Sequence, residues 1–348
     1  MMPQPDIHLA DKCETAAILD TYITLENELK KGLTFYWESA TAILKGTGIH
    51  LRECKENDFS IEKHFFTALF LYSYFKAGIR PEKRIIYTAL NQCLRGMVTG
   101  CDNILDNEYK KTLDTDLPEK SYKFRSIIDI MVSDRAVLDI LDKGFGETIP
   151  RSQLIEASFE TLRALSISGI EEAGEENGDI YLLTPDLILS KVHHLKTGIL
   201  FKCPWAVPDL IDQIDKNISS SIKEGLYNIG MGCQVLDDMA DLSLDILMKR
   251  HNYLASLIHY GDSPAEKQML QELTTDEMGS KNLADKIAER FPEALEKSWQ
   301  TAHAFIERGA KTLFSPEHEF MVDMTIDFLV DRIGVSHLIT GRAGRQKS

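Results

Sequence analysis

"GCQVLDDMADLSLD", residues 232–245, sets Asp237, Asp238, Asp241 and Asp245 among Cys, Val, Leu, Met and Ala. Asp237, Asp241 and Asp245 recur at every fourth position, so on a helix their carboxylates project from one face. In water, such like-charge neighbours cost a helix only on the order of 0.3 kcal/mol each. Buried together they cost far more, unless they are protonated or hold a cation. A single Asp pair is most often solvent-exposed. Here the apolar residues around the acids mark a helix buried on several sides.

The same spacing occurs upstream. "CDNILDNE" (101–108) follows the mostly uncharged "TALNQCLRGMVTG" and again puts two acids, Asp102 and Asp106, at i and i+4. Two such helices facing each other would offer carboxylate oxygens from opposite walls of a cavity. That suits Mg²⁺, a hard cation that prefers oxygen ligands and substrate phosphates. Between the two segments lies "HHLKTGIL" (193–200), where Lys196 and the small Thr197 and Gly198 interrupt a helix otherwise set to be buried. A kink there would aim an ammonium into the cavity. His193 and His194 read as surface or structural residues, since the carboxylates already supply metal ligands.

Around these segments, apolar residues recur at three and four spacing, as in "FFTALFLYSYF" (65–75) and "SIIDIMVSDRAVLDILDKGF" (126–145). The periodicity predicts helices over 15–47, 60–77, 82–108, 119–144, 151–173, 186–202, 216–250, 264–275, 281–309 and 316–340. With no alternating strand pattern and no Gly/Ser linker, it predicts one all-α domain over 15–341 between flexible ends, 1–14 and the basic 342–348. Residues 171–186 form the clearest interior loop. In 348 residues a net charge of −15 and a sequence pI of about 5.2 exclude a nucleic-acid binder. A phosphorylated substrate remains compatible when divalent cations offset the acids. The 6 cysteines form no CxxC pair, no secretory signal opens the chain, and no stretch has a transmembrane helix's length. The expectation is a cytoplasmic protein.

Together and in this order, these elements resemble the trans-polyprenyl diphosphate synthases of the type I isoprenoid synthase superfamily. The second motif matches well: Gln234 stands three residues before a DDxxD of Asp237, Asp238 and Asp241. "LKTG" is similar to the family's Lys-Thr motif, and "MKRHNYLASLIHYG" (248–261) to its downstream basic segment. The resemblance implies a bundle of long helices around a deep central cavity, and a homodimer. It implies that Asp102, Asp106, Asp237, Asp238 and Asp241 hold Mg²⁺, three ions with substrate bound. Lys196, with Lys249 or Arg250, would bind an allylic prenyl diphosphate, and Thr197 and Gln234 would complete the catalytic set. Isopentenyl diphosphate would be the second substrate.

Three departures stand out. The first motif should read DDxxD, but Asn103 replaces its second acid. The arginine pair expected after it is Lys110 and Lys111. Of the isopentenyl-binding motif near 60–70 only Lys63 and His64 remain, while Arg95 occupies a position where the family commonly has histidine. Lys63, Arg95 and Lys111 could still form a phosphate patch, but lysine lacks arginine's bidentate fork. These losses open two alternatives, a terpene cyclase using Asp237, Asp241 and Asp245 and needing no isopentenyl diphosphate, or a non-catalytic subunit of a heteromeric synthase. Val98 and Met97, four and five residues before Asp102, are not bulky aromatics, which favours products beyond the shortest.

Overall fold

A computed structural model describes residues 7–170, 181–275 and 286–340. Among them the chain is helical, with one isolated antiparallel bridge between Leu51 and Thr115. It divides into two compact units, Met1–Arg163 with Pro204–Ser219, and Ala164–Cys203 with Ser220–Ser348. Among the described residues no helix is long and apolar enough to cross a membrane. The expected flexible ends fall mostly outside the described residues, although the first helix starts at Ile7, ahead of residue 15.

In the first unit, α1 (Ile7–Leu44), α2 (Phe65–Lys76) and α4 (Tyr122–Phe145) pack on α3 (Pro81–Leu105). Glycines on α3 let α4 come close. A Cβ on Gly96 would overlap the Ser133 hydroxyl, and one on Gly100 would lie 2.6 Å from Ile130. At the other end of the pair Gly144 meets Ile86, so α3 and α4 run antiparallel. Tyr36 of α1 reaches across this contact, its hydroxyl 3.0 Å from Ser133 Oγ.

One buried ion pair ties three of these elements together. Arg84 on α3 donates through Nε to Glu28 Oε2 on α1 at 2.7 Å and through Nη2 to Glu28 Oε1. Its Nη1 donates to the Ile79 carbonyl at 2.6 Å, and its guanidinium lies 5.3 Å from the Phe75 ring of α2. The segment 204–219 is stitched to the same helices. Trp205 Nε1 donates to Ser73 Oγ at 3.0 Å, and Asp212 accepts from Tyr87 and Lys83.

In the second unit, residues Ile188–Ile199 form a π-helix, α6, after α5 (Arg151–Ser168). It packs on α7 (Lys216–Ala240), where Gly198 lies against Tyr227 and Gly230 against the Thr197 carbonyl and Phe201. The helix expected over 216–250 is broken at Asp241 and resumes as α8 (Leu242–Met248). The sequence reading also missed α9 (Tyr253–Tyr260), which Asn252 caps by accepting from the Ala255 amide. Further on come α10 (Pro264–Thr275), α11 (Pro292–Leu313) and α12 (Met321–Ile333). Gly225 and Gly309 bring α7 and α11 into backbone contact.

Glu28→Ala would strand a buried guanidinium, and losing one partner of such a pair costs about 3–5 kcal/mol. Urea unfolding should show a correspondingly lower midpoint. An unchanged midpoint would mean that this pair does not hold α1 to α3.

Candidate functional site

The first aspartate segment ends a helix and also presents acids. Asn107 takes a left-handed backbone (φ 54°) and stops α3 at Leu105, short of the expected 108. The Asp106 amide still donates to the Asp102 carbonyl at 2.8 Å, so the two residues share the last turn, Asp102 half-buried and Asp106 exposed. Carboxylates at a helix C-terminus add to the negative end of its dipole, a local field that favours a cation. Asn103, one residue round, points inward instead. It is 0% exposed, donates through Nδ2 to the Lys110 carbonyl at 3.0 Å and accepts from the Lys110 amide at 2.7 Å. The residue that breaks the DDxxD pattern is therefore a clamp on the following loop.

The structure gathers Lys63, Arg95 and Lys111 around Asp58 and His64. Lys63 pairs with Asp58 Oδ1 at 3.1 Å, and Arg95 Nη1 lies 3.0 Å from His64 Nδ1. His64 Nε2 is 2.8 Å from the Asp58 carbonyl, so Nε2 carries the proton and Nδ1 accepts from Arg95. Burial, followed by the Arg95 charge, lowers His64 to about 4 and keeps it neutral. The Asp58 carboxyl is held low by the Lys55 amide, then by Lys63 and more weakly by Lys111. Lys111 also pairs with Asp114 at 2.8 Å, and Lys110 with Glu108 at 2.6 Å.

In the second unit the acids separate into two kinds. The Asp241 amide donates to the Asp237 carbonyl at 2.8 Å and the Asp245 amide to the Asp241 carbonyl at 2.9 Å, which keeps the three residues in line through the break after α7. Asp237 is exposed and Asp241 half-buried. Asp238, expected among the metal ligands, is only 3% exposed and already engaged. Its Oδ2 accepts from His193 Nε2 at 2.9 Å and from the Tyr253 amide, and its Oδ1 accepts from Gln234 Nε2 at 3.2 Å. Gln234 Oε1 in turn accepts from the Thr197 hydroxyl. Thr197, Gln234, Asp238 and His193 thus join α6 to α7. Asp238 anchors the site from within.

Asp245 is also buried, and Asn252 Nδ2 donates to it at 2.7 Å and to the Asp238 carbonyl at 2.7 Å. Burial, then the Asp238 and Asp241 charges, push its carboxyl up to about 8, against the opposite pull of Asn252 and the Lys196 ammonium. Lys196 is half-buried on the π-helix, a conformation that recurs at functional sites. The Arg250 amide donates to the Asp245 carbonyl at 2.9 Å, and Lys249 is exposed with a left-handed backbone (φ 55°). Sequence reasoning missed Asn252 and the tie from His193 to Asp238. A histidine one helical turn before Lys196 was the available signal for the second.

Among the described residues, no group of three or more His, Cys, Asp or Glu side chains is gathered to hold a metal by itself. The donors on offer are carboxylate pairs, Asp102 with Asp106 and Asp237 with Asp241. Such pairs suit Mg²⁺, which is commonly bound by one or two carboxylates together with waters and substrate phosphates.

No protein-family profile matches the sequence, and no curated protein matches it either. Solved structures share its fold. The decaprenyl diphosphate synthase of Rhodobacter capsulatus is 15% identical with a TM-score of 0.58, the match covering 88% of this chain and 99% of that one. The geranylgeranyl pyrophosphate synthetase of Pyrococcus horikoshii is 13% identical with a TM-score of 0.56, covering 92% and 99%. The heptaprenyl diphosphate synthase of Staphylococcus aureus is 15% identical with a TM-score of 0.55, covering 88% and 98%. The chain has the all-α fold of these prenyl diphosphate synthases.

The loop after α3 is held by a pH-dependent group on α4. Asp129 of α4 accepts from the Thr112 hydroxyl at 2.6 Å. Burial pushes its carboxyl from 3.8 up to about 6, against the Thr112 hydroxyl, the Leu113 amide and Arg125. The folded value lies above the unfolded one, so the contribution to stability is full below 3.8 and is lost as pH rises through 6. Urea unfolding of wild type and Asp129→Asn should diverge between pH about 4 and about 7, wild type losing on the order of 3 kcal/mol relative to the variant. Parallel pH profiles would contradict this.

Proposed function

We propose that this chain is a Mg²⁺-dependent isoprenoid synthase that ionises an allylic prenyl diphosphate and transfers the prenyl group to isopentenyl diphosphate. The observation that carries the reading is the ordered second motif. Asp238 is tied down by His193, Gln234 and Tyr253, while Asp237 and Asp241 remain presented on one line. Bound Mg²⁺ would neutralise charge on a diphosphate leaving group. Each acid pair would offer its carboxylates to Mg²⁺.

Ionisation breaks the allylic C–O bond, and the electron pair leaves with the diphosphate. Lys196 supplies positive charge for it, with Lys249 and Arg250 assisting at the end of α8. Thr197 and Gln234 keep the Lys196 segment against α7 through their shared hydrogen bond. The double bond of isopentenyl diphosphate then forms the new C–C bond, and proton loss restores an allylic diphosphate. The gathering of Lys63, Arg95 and Lys111 around Asp58 supports a place for this second diphosphate. Arg95 is pre-oriented by a neutral histidine, whereas Lys63 is held only by an exposed ion pair that an incoming diphosphate can replace at small cost.

The cyclase reading needs Asp237, Asp241 and Asp245 as ligands. Asp245 is buried and hydrogen-bonded to Asn252, which argues against it in that role. A purely structural subunit gives no reason to present Asp237, Asp241 and Lys196. Homodimerisation is supported by an apolar stripe left exposed on α4, Phe124, Ile127 and Met131, at three and four spacing.

Incubation with Mg²⁺ and dimethylallyl, geranyl or farnesyl diphosphate should yield a longer diphosphate only when isopentenyl diphosphate is added. Hydrocarbon or alcohol formed without it would establish a cyclase, and no product from any mixture would establish a subunit. Asp237→Asn and Asp102→Asn should each lower kcat at least about a hundredfold while the thermal midpoint holds. Undiminished turnover in both variants would refute the site.

A further inference from the structure

Loop 106–116 is held from beneath on both sides of Lys110 and Lys111. On one side the Asn103 amide pairs with both backbone groups of Lys110. On the other, buried Asp129 takes the Thr112 hydroxyl at 2.6 Å. Arg125, one turn earlier on α4, extends this second anchor. Its guanidinium lies 5.0 Å from the Tyr109 ring, and its Nη2 donates to the Thr115 carbonyl at 3.4 Å. Asn103, Arg125 and Asp129 are buried, whereas Lys110 and Lys111 are exposed, Lys110 pairing with Glu108 and Lys111 with Asp114 of their own loop.

We propose that Asn103 and Asp129 are positioning residues for diphosphate binding, which fix the backbone on both sides of the Lys110–Lys111 pair so that it meets a substrate diphosphate in one conformation. This rests on the diphosphate role given to Lys111 above and extends it to its neighbour Lys110. Lysine stems are long and rotamer-rich, and an ammonium lacks the fixed fork of a guanidinium. A lysine pair that substitutes for arginines therefore depends on its backbone being held. The amide at 103 fits this need because it donates and accepts at once. A carboxylate could accept from the Lys110 amide but would set an anion against the Lys110 carbonyl at a buried position, and alanine would leave both groups unpaired. Asn103→Asp, which makes the segment read DDxxD, should therefore weaken substrate binding.

The test is a double-mutant cycle under Mg²⁺ with an allylic diphosphate and isopentenyl diphosphate. Asn103→Asp should raise KM for a diphosphate substrate about tenfold while kcat changes much less. In a Lys110→Ala/Lys111→Ala background the same substitution should add little, because the groups it positions are gone. A general structural defect would persist in that background. Asp129→Ala, read in the same cycle, keeps the proposal testable if Asn103→Asp does not fold. Amide exchange provides a check without turnover: the Lys110 amide should be protected in wild type and open in Asn103→Ala. An unchanged KM, an equal rise without the lysines, or equal exchange would overturn the inference. Wild type that turns over no prenyl diphosphate would overturn the proposed function itself, a result distinct from an active enzyme whose KM ignores Asn103.

Discussion

A carboxylate inside an all-α fold must be neutral, paired or surrounded by donors, and the second unit is organised around the way Asp238 meets that demand. Its donors come from three elements, His193 on α6, Gln234 on α7 and the Tyr253 amide at the start of α9. Removing the charge would leave those donors facing one another. Satisfying it fixes the spacing of α6, α7 and α9, and with it the places of Thr197, Lys196 and the α8 break. Asp237 and Asp241 can stay presented because their neighbour carries the structural load.

The two aspartate motifs share a geometry. On a helix the second residue of a DxxxD pattern is turned about 100° away from the line of the first and last, so it faces the protein while they face outward. What it must be depends on what it meets there. Asp238 meets only donors, so a carboxylate fits. Asn103 meets one donor and one acceptor, both from Lys110, so an amide fits. A difference that reads in the sequence as one motif being weaker is a difference in inward partners. The outward pairs, Asp102 with Asp106 and Asp237 with Asp241, are equivalent in spacing.

The helical class, the i and i+4 acid pairs and the Lys-Thr segment were legible because periodicity and spacing are properties of the chain itself. Helix ends were less so. Nothing local in "DNILDNEYKK" says that Asn107 takes a left-handed backbone and ends α3, and nothing in "DDMADLSLD" says that the helix breaks at Asp241. The inward roles were hidden for a physical reason, since they depend on partners far along the chain. His193 finds Asp238 across 45 positions, and Arg95 finds His64 across 31. Counting acids at 237, 238 and 241 cannot separate an outward acid from a buried anchor, because that distinction rests on burial and on the sign of the neighbours. Asn252 left no chemical signature beyond helix capping, yet it joins Asp238 to Asp245.

The cation patch of the first unit follows from the same economy of partners. Three positive side chains near one another repel, and while Asp114 pairs with Lys111, Asp58 moderates them. It does so unevenly: Lys63 is bonded to it directly, Lys111 only feels its charge, and Arg95 is reached through His64. A protonated His64 would add a fourth cation beside Arg95 and lose the lone pair that accepts from it, so the lowered value of about 4 is a condition for the arrangement. Arg95 is then held by a neutral partner. Lys63 and Lys111 are restrained only by exposed pairs that cost little to open. A patch with one fixed guanidinium and two releasable ammonium groups is ordered before an anion arrives and can still adjust to it. That combination lets an acidic protein with a net charge of −15 keep a local cationic patch.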